Sequence, residues 1–470
     1  MKKSCKALSV LVCAVLTLSC FAACSGSTPP SSSGQESDSK SVGNQPSDSA
    51  SSDAGGSTTA GTKINMLVLS GGYKPAIESS VAKFTAESGI EVELVGLEDN
   101  ALREKTLIEI KSGSGQFDVM SIDGPPWMVE VWEGLEPLQP YIDKDNIDVS
   151  KFVPTYLEMA RWPSIYTVHP EGYQVGDGDI LALPVRVGVH ILHYRKDLFD
   201  KNGLSVPTSM DELRSAAEKL TGGKTEDGDD VYGIILQGEQ SIWLTVQFLD
   251  FLWSFGGDLL TDDMQSSALD SPHAKEAANF LVNLYKDGYS PPGTTTYNMD
   301  NAVTALQQGI GAMYVEYSPR ALVIDNPEKS KTSGKWDWAP IPADDGGVGT
   351  GLVTGWSMAI NKNAKNKDAA WELIKYLTSE EIQTKMAIEN ANGPVISSVF
   401  ENADYQKSFP AAMAVLEAAN AGKVRPGVSQ IALIEDVIAT EMNAALLGSQ
   451  TADQAMDNAH KRINEILADE

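Results

Sequence analysis

One stretch, from Asp179 to Pro207, limits the folds open to this chain more than any other part of the sequence. It contains two short apolar runs, 180–183 and 187–194, with Pro184 between them. Short runs of Val, Ile, Leu and Tyr bounded by Gly and Pro favour buried strands. A brief helical turn follows, and Gly203 stands where a left-handed cap would end it. The pattern predicts two buried strands followed by a short helix.

Residues 183–204 of this stretch, LPVRVGVHILHYRKDLFDKNGL, resemble the strand-and-turn signature of a known family. The family is that of the carbohydrate-type extracellular solute-binding proteins of ABC importers, which are maltose-binding-protein-like. Two further strings resemble it: AVTALQQGIGAMYVE at 302–316 and GWSMAINKNAKNKDAAWELIKYLTS at 355–379. The resemblance covers essentially all of residues 63–470. It implies an α/β, two-lobed periplasmic-binding-protein fold, with two doubly wound sheets joined by a hinge and the ligand cleft between them.

Length and composition agree with a protein of several domains. The chain has 470 residues and 42% hydrophobic residues, enough for about two or three domains. All four cysteines lie in the first 24 residues, which predicts a body with no disulfide and no cysteine metal site. The formal charge of -28 argues against nucleic acid or anionic lipid as a partner, because phosphate binding needs a basic surface.

The N-terminal segment predicts export and attachment to a membrane. Residues 1–23 combine a lysine-containing start with a short apolar run, as in a signal peptide. Phe21-Ala22-Ala23-Cys24 then resembles a bacterial lipobox, which implies a lipid on Cys24 and a location on the outer face of the cell membrane. Leu18-Ser19-Cys20 is a rival cleavage site, and an ordinary signal peptide remains an alternative.

A low-complexity segment separates this leader from the folded body. Residues 25–62 hold 13 Ser, 4 Thr, 6 Gly and 3 Pro, with Val42 as the one large aliphatic residue. Such a segment cannot bury enough apolar surface to offset chain entropy, so residues 24–62 are predicted to form a lipidated, disordered tether. A glycosylated or merely cleaved spacer is the alternative.

The folded body is predicted to begin at Lys63 with alternating strands and helices. Strands are expected at 64–69, 90–94 and 117–122, with helices between them. This order implies a parallel sheet, whose ligands bind beyond the carboxyl ends of the strands. The expected lobes are 63–178 with 336–378, and 179–335 with 379–470. Residues 141–178 give no clear pattern.

Catalytic and metal-binding motifs are weak throughout the chain. His190 and His193 stand three apart, so on a strand they point to opposite faces and do not share a metal. Gly355-Trp356-Ser357-Met358-Ala359 lacks the final glycine of a nucleophile elbow. No spacing selects a pair of carboxylates for glycoside hydrolysis. We therefore expect no enzyme activity, no metal and no cofactor.

Sugar binding requires aromatic rings for the apolar sugar faces and carboxylates, arginines or amides for the hydroxyls. The candidates stand next to Gly, Pro or charged residues near predicted strand ends, and the family places its first-lobe contacts in the loops at Tyr73 and at Asp123 to Trp127. Trp356 is the strongest candidate, with Gly355 beside it to let a ligand approach the backbone. Trp253, Trp336, Trp338 and Trp371 are expected in the core. The predicted ligand-binding residues are Tyr73, Asp123, Trp127, Arg186, Trp243, Glu316, Tyr317, Arg320, Trp356 and Arg425.

The resemblance thus implies a monomeric receptor that captures a sugar or polyol and delivers it to ABC transporter permease subunits. The lobes would close around the ligand by a hinge motion. Alternatives are the same fold binding a non-sugar solute, a surface glycosidase, and a sugar sensor that acts on a membrane kinase.

Overall fold

The computed structural model describes residues 61–71, 73–390 and 392–469. The predicted signal peptide, Cys24 and nearly all of the predicted tether lie outside these residues. None of the described helices combines the length and the apolar character that a membrane span requires.

Strands and helices alternate through most of the described chain. The strands are β1 (Lys63–Leu69), β2 (Glu91–Leu97), β3 (Val119–Ile122), β4 (Arg161–Trp162), β5 (Asp179–Ile180), β6 (Ala182–Arg195), β7 (Gly223–Lys224), β8 (Asp230–Val231), β9 (Met313–Tyr317), β10 (Trp336–Ala339) and β11 (Val353–Ile360). The helices up to residue 324 are α1 (Tyr73–Ser88), α2 (Asp99–Ser112), α3 (Gly124–Val131), α4 (Gln139–Asp145), α5 (Pro154–Glu158), α6 (Lys196–Asn202), α7 (Met210–Leu220), α8 (Ile242–Ser254), α9 (Pro272–Lys286), α10 (Met299–Gln307) and α11 (Ala321–Ile324). The remaining helices are α12 (Lys367–Leu377), α13 (Glu380–Asn390), α14 (Ser397–Phe400), α15 (Ala403–Ser408), α16 (Ala412–Asn420), α17 (Ile431–Leu446) and α18 (Ala452–Ala468). Short 3-10 turns occur at Trp132–Gly134, Val149–Lys151, Thr294–Thr296 and Ser318–Arg320.

The first part of the sheet is built as the strand-helix alternation predicts. β1 pairs in parallel with β2 on one side and with β3 on the other. β11 then joins antiparallel to β3, and β6 joins antiparallel to β11. The carboxyl ends of β1, β2 and β3 therefore lie at one edge of the sheet, where α/β proteins bind ligands.

Strand β6 is long enough to belong to both parts of the sheet. Its residues 182–189 pair with β11, whereas residues 190–195 pair with β9 and β10. The hydrogen-bonded strands therefore form one seven-stranded sheet, with β6 continuing from one lobe into the other. The chain therefore passes along this strand from β11 on one side to β9 and β10 on the other.

The expectation that Pro184 separates two strands is wrong, because β6 runs through it without a break. The pairing shifts here: Trp356 lies opposite Arg186, but the next residue of β11, Ser357, lies opposite Pro184. A proline can be accommodated at such an irregularity, where the regular ladder of hydrogen bonds is already interrupted. The carbonyl of Val185 accepts hydrogen bonds from the side-chain amides of Gln383 and Asn392 instead.

Two large hydrophobic cores confirm the two-lobed α/β architecture. The first contains β1, α1 and α12 together with the first half of β6. The second contains β9, helices α7 to α9 and the two C-terminal helices α17 and α18. Trp253, Trp336 and Trp371 are buried as expected, and Trp338 is partly buried.

The lobe boundaries stay a prediction, but two segments make contacts that favour a different assignment. Strand β10 pairs with β6 at residues 192–195, beside the second core, although 336–339 was expected in the first lobe. Helices α13 to α16 pack into the first core, although 379–420 was expected in the second lobe. In both cases the chain crosses to the other core after the segment, and a crossing leaves no mark in the local hydrophobic pattern.

Candidate functional site

A cavity of about 500 Å³ lies where the strand ends of the two lobes face each other. Both cores contribute elements to its walls, which carry charged, aromatic and aliphatic side chains. The lining residues are Leu69, Ser70, Glu98, Asp99, Asp123, Arg186, His190, Ile242, Trp243, Val246, Glu316, Tyr317, Arg320, Leu352, Thr354, Gly355, Trp356 and Arg425. We call this cavity the cleft.

The first-lobe wall of the cleft consists of the ends of three parallel strands. Ser70 follows β1, Glu98 and Asp99 follow β2, and Asp123 follows β3. The hydroxyl of Ser70 donates a hydrogen bond to Glu98. Three carboxylates therefore meet at one sheet edge because parallel strands bring their carboxyl ends together.

Arg425 connects this wall to the second lobe. Its Nη2 lies 3.1 Å from Oδ2 of Asp123, and its Nη1 lies 2.9 Å from Oε1 of Glu435 on α17. All three side chains are at most 18% exposed, so water screens the two ion pairs only weakly. The guanidinium therefore joins the strand end of one lobe to a helix of the other.

The electrostatic surroundings of Asp123 are unusual for a carboxylate. Burial raises the pKa of Asp123 to about 6, although the charge of Arg425 acts in the opposite direction. Burial also raises the pKa of Asp99, against the charges of Arg425 and Arg103. Both groups are consequently easier to protonate than exposed aspartates.

Trp356 is one of three aromatic residues that line the cleft, and Trp127 packs against its ring. The two rings pack edge to face, with centroids 5.2 Å apart and an interplanar angle of 88°. Trp127 is only 5% exposed, packs in a hydrophobic cluster of the first lobe, and is not among the residues that line the cleft. The direct ligand contact expected of Trp127 stays a prediction, and its buried position favours a role as a support for Trp356.

Two glycines shape the middle of the cleft because they have no side chain. A Cβ on Gly355 would lie 2.3 Å from the carbonyl oxygen of Arg186, so this glycine lets β11 approach β6. The sequence had suggested that Gly355 makes room for the ligand. A Cβ on Gly188 would lie 2.5 Å from Cε2 of Tyr317. Gly188 thus allows the Tyr317 ring to lie flat against β6, where its hydroxyl donates to the carbonyl oxygen of Thr354 over 3.4 Å.

Glu316 lies in the wall with its carboxylate already engaged. It is 0% exposed and accepts hydrogen bonds from the side chains of Gln237, at 2.7 Å, and Tyr314, at 2.9 Å. The backbone N–H of Tyr317 donates to its other oxygen. Its predicted contact with a ligand is therefore better described as a positioning role, in which Glu316 holds the end of β9.

His190 extends this buried polar group towards α8. Its Nδ1 lies 2.6 Å from Asp250 and its Nε2 lies 3.5 Å from Glu316. Burial lowers the pKa of His190, but the charge and hydrogen bond of Asp250 outweigh it, and the net pKa is raised. Burial likewise raises the pKa of Asp250, which also accepts the backbone N–H of Leu352.

His193 makes different hydrogen bonds from His190, although both rings lie near Glu316. The indole N–H of Trp338 donates to its Nδ1 over 3.1 Å, so Nε2 is the protonated nitrogen and donates to the carbonyl of Glu316. Burial lowers the pKa of His193 to about 4, which keeps the ring neutral. Among the described residues, no group of His, Cys, Asp and Glu side chains could hold a metal ion.

Eight of the ten predicted ligand-binding residues line the cleft: Asp123, Arg186, Trp243, Glu316, Tyr317, Arg320, Trp356 and Arg425. Trp243 lies in the first turn of α8, where its partly buried side chain packs against the second core. Tyr73 is the first residue of α1 and its side chain is not described, so its role stays a prediction.

Sequence reasoning missed several lining residues. Glu98 and Asp99 follow β2 as Asp123 follows β3, and the same strand-end rule would have selected them. His190 was considered only as a metal ligand. Leu352 and Thr354 had no signal in the sequence, because they enter the cleft through the pairing of β11 with β6.

The arrangement suits the binding of a solute with many hydroxyl groups. Carboxylates accept hydrogen bonds from hydroxyls, guanidinium groups donate to them, and an indole face packs on an apolar sugar face. The groups come from both lobes, so a ligand in the cleft would contact both.

Comparisons with known proteins point to one family. The family model for bacterial extracellular solute-binding proteins matches residues 70–384. The mannitol-binding protein of Pseudomonas aeruginosa is 25% identical over 79% of this chain and 85% of its own length. The erythritol/L-threitol-binding protein of Mycolicibacterium smegmatis is 26% identical over 73% of this chain and 72% of its own. The structure of maltose-bound MalE3 of T. maritima is 28% identical, has a TM-score of 0.70, and is matched over 86% of this chain and 100% of that chain.

Proposed function

The chain belongs to the family of bacterial extracellular solute-binding proteins, and on this premise we propose that it binds a sugar or polyol in the cleft. It then presents the bound solute to the permease subunits of an ABC importer. The names of the relatives support this ligand class, since they include mannitol, erythritol and maltose binding. The observation that carries the proposal is the placing of Trp356 among carboxylates and arginines from both lobes in one cleft of about 500 Å³.

The protein acts as a monomeric receptor and catalyses no reaction. Its two lobes are joined by β6 and by the Arg425 ion pairs, and they close around a ligand by a hinge motion about this connection. A ligand that contacts both walls stabilises the closed form, because it gains contacts there that the open form lacks.

A calorimetric and thermal-melting screen tests the ligand class. Sugars, polyols, amino acids and short peptides are titrated into the purified body, residues 61–470. A sugar or polyol that binds at micromolar or lower Kd and raises Tm supports the proposal. Tight binding of amino acids or peptides alone would replace the sugar with another solute.

The absence of catalysis is tested with the same ligand. Overnight incubation with micromolar protein is expected to return the sugar chemically unchanged, as measured by chromatography. Turnover that disappears when one cleft carboxylate is replaced would instead make the protein a glycosidase.

We also propose that a lipid on Cys24 holds the body outside the cell membrane. The lipobox-like Phe21-Ala22-Ala23-Cys24 and the Ser/Gly-rich segment after it support this attachment. Mass spectrometry of the mature protein is expected to find a diacylglyceryl group on residue 24, and Cys24→Ala to release the protein from membranes or leave it uncleaved. Mature protein that begins elsewhere and carries no lipid would remove the anchor.

A further inference from the structure

Arg320 is a cation in the cleft that has no carboxylate partner among the described residues. Its Nε is buried and has no hydrogen-bond partner among the described residues, and it makes no ion pair with any of them. The guanidinium nevertheless lines the cleft, in the 3-10 turn that follows β9. A cation that is partly removed from water without a counterion is costly for the protein, and such a cost is compensated when a ligand supplies the opposite charge.

Six other arginines of the described residues have carboxylate partners. They are Arg103, Arg161, Arg195, Arg214, Arg425 and Arg462. The contrast with Arg425 is most informative because it lies in the same cleft and is held between two carboxylates. The protein therefore neutralises one cleft guanidinium with its own side chains and leaves Arg320 without such a partner.

Two buried carboxylates at the cleft are already hydrogen-bonded to other groups. Glu316 accepts hydrogen bonds from Gln237, Tyr314 and the backbone of Tyr317. Asp250 accepts from His190 and from the backbone of Leu352. Both residues are 0% exposed, and neither forms an ion pair with Arg320 within 4 Å.

The charged residues of the cleft come from different elements of the sheet. Glu98, Asp99 and Asp123 follow the strands of the first-lobe wall, whereas Arg186 is on β6 and Arg320 follows β9. Burial raises the pKa of Tyr317, the charges of Arg186 and Arg320 lower it, and the charges of Asp123 and Glu316 raise it, so guanidinium groups and carboxylates both lie near this ring. A ligand beside Tyr317 is therefore within reach of guanidinium donors as well as carboxylate acceptors.

We infer that the ligand is a sugar acid, a polyhydroxy compound with a carboxylate that Arg320 binds and that Arg186 faces. This inference rests on the proposed function and narrows it. A guanidinium binds a carboxylate through two parallel N–H···O bonds, which gives both affinity and orientation. The hydroxyls at the other end of the ligand then meet the carboxylates of the first-lobe wall, and a sugar face packs on Trp356.

Matched pairs of neutral and acidic compounds test the inference. Calorimetry compares D-glucose with D-glucuronate, D-galactose with D-galacturonate, and D-glucitol with D-gluconate, each with D-glucosamine as a cationic reference. We expect at least one acid to bind about thirtyfold tighter than its neutral partner, as for a desolvated charge pair of about 2 kcal/mol. A neutral or cationic member that binds as tightly as the best acid would overturn the inference and leave the proposed function intact. No binding by any member would count against both.

A variant of Arg320 separates charge recognition from general damage. Arg320→Gln is expected to weaken the acid by about thirtyfold or more and its neutral partner by less than about threefold. Arg320→Lys should retain part of the preference, because the charge remains and the paired N–H groups are lost. Arg214→Gln is the matched control, since Arg214 is 44% exposed and pairs with Asp287 away from the cleft.

Equal losses for the acid and its neutral partner in a folded Arg320→Gln protein would overturn the inference. Thermal melts establish folding for each variant. If Arg320→Gln does not fold, the Arg320→Lys variant decides. Equal losses of affinity for the acid and for its neutral partner in Arg320→Lys would also contradict the inference.

Discussion

At the scale of single residues, Trp356 holds the largest share of the expected binding energy. Its ring is kept in place by the edge-to-face contact with Trp127 and by its position opposite Arg186. Trp356→Ala is expected to weaken sugar binding by about thirtyfold or more, because truncating an aromatic anchor costs about 2 kcal/mol or more. Calorimetry on wild type and variant measures this change.

The control for Trp356 is another indole that stacks on a neighbour outside the cleft. Trp132 is 38% exposed and stacks on Trp162 with centroids 5.4 Å apart. Trp132→Ala should leave the affinity unchanged. If Trp356→Ala binds as tightly as wild type while its melting temperature falls, Trp356 is a core residue and the cleft assignment is weakened.

Asp123 predicts a dependence of stability on pH. Its pKa of about 6 lies above the ordinary value of 3.8, because burial outweighs the charge of Arg425, while Asp99, Glu435 and Arg103 also face it. The folded protein therefore binds this proton more tightly than the unfolded chain, and the contribution of Asp123 to stability falls as pH rises from about 4 to about 6. Asp123→Asn should remove this fall, so its Tm relative to wild type should rise across that window.

Asp145 provides a control with the opposite sign. Hydrogen bonds from Lys375 and Trp371 lower the pKa of Asp145, so its contribution is present above the ordinary pKa and is lost as pH falls through the lowered value. Asp145→Asn should therefore cost stability at neutral pH and little in strong acid. Parallel Tm profiles for Asp123→Asn and wild type between pH 4 and pH 7 would contradict the assignment for Asp123.

At the scale of elements, two glycines at the β6 side of the sheet should respond differently to substitution by alanine, because different atoms lie next to them. Gly355→Ala would bring a Cβ against the β6 backbone, which cannot move without opening the sheet, so we expect a loss of about 1–3 kcal/mol in unfolding free energy. Gly188→Ala would meet the Tyr317 ring, which can rotate away. It should therefore lower ligand affinity more than stability, as measured by denaturant unfolding and calorimetry. The reverse order of the two effects would contradict this account.

The same elements show how far the sequence could predict the structure. The strands expected at 64–69, 90–94 and 117–122 form as β1, β2 and β3, because the apolar pattern of each is visible in the sequence. Pro184 was misjudged because the partner that tolerates it, the irregular pairing at Trp356, is distant in sequence.

The candidate site was predicted in part for the same reason. Strand-end positions are visible in the sequence, and they selected Asp123, Glu316 and Arg320. The contacts of Trp127 and Gly355 depend on atoms that are distant in sequence, and Glu98 was overlooked although it obeys the same strand-end rule. Local pattern thus indicates where a side chain stands along a strand, whereas its neighbours across the sheet decide what it can do.

At the scale of the whole molecule, we expect ligand binding to bring the two lobes together. Arg425 already links Asp123 of one lobe with Glu435 of the other, and the ligand would add contacts to both walls. Small-angle X-ray scattering is expected to show a smaller radius of gyration with the tightest sugar of the screen than without it. In Arg425→Gln the free protein should be more open and bind more weakly.

An unchanged scattering curve at saturating ligand would contradict hinge closure. Lys335→Gln is a suitable control for the loss of one positive charge, because Lys335 is 37% exposed and pairs with Glu226 at 3.6 Å outside the cleft. This variant should scatter as wild type does and bind with the same affinity.

The continuity of β6 through both lobes has a consequence for how the protein unfolds. Its first half is held by β11 and its second half by β9 and β10, so neither core can lose this strand without breaking hydrogen bonds in the other. Separate melting of two lobes requires a boundary that few contacts cross, and here the boundary passes through the middle of a fully paired strand. Scanning calorimetry of residues 61–470 should therefore record a single cooperative transition, with equal calorimetric and van't Hoff enthalpies, in spite of the two separate cores.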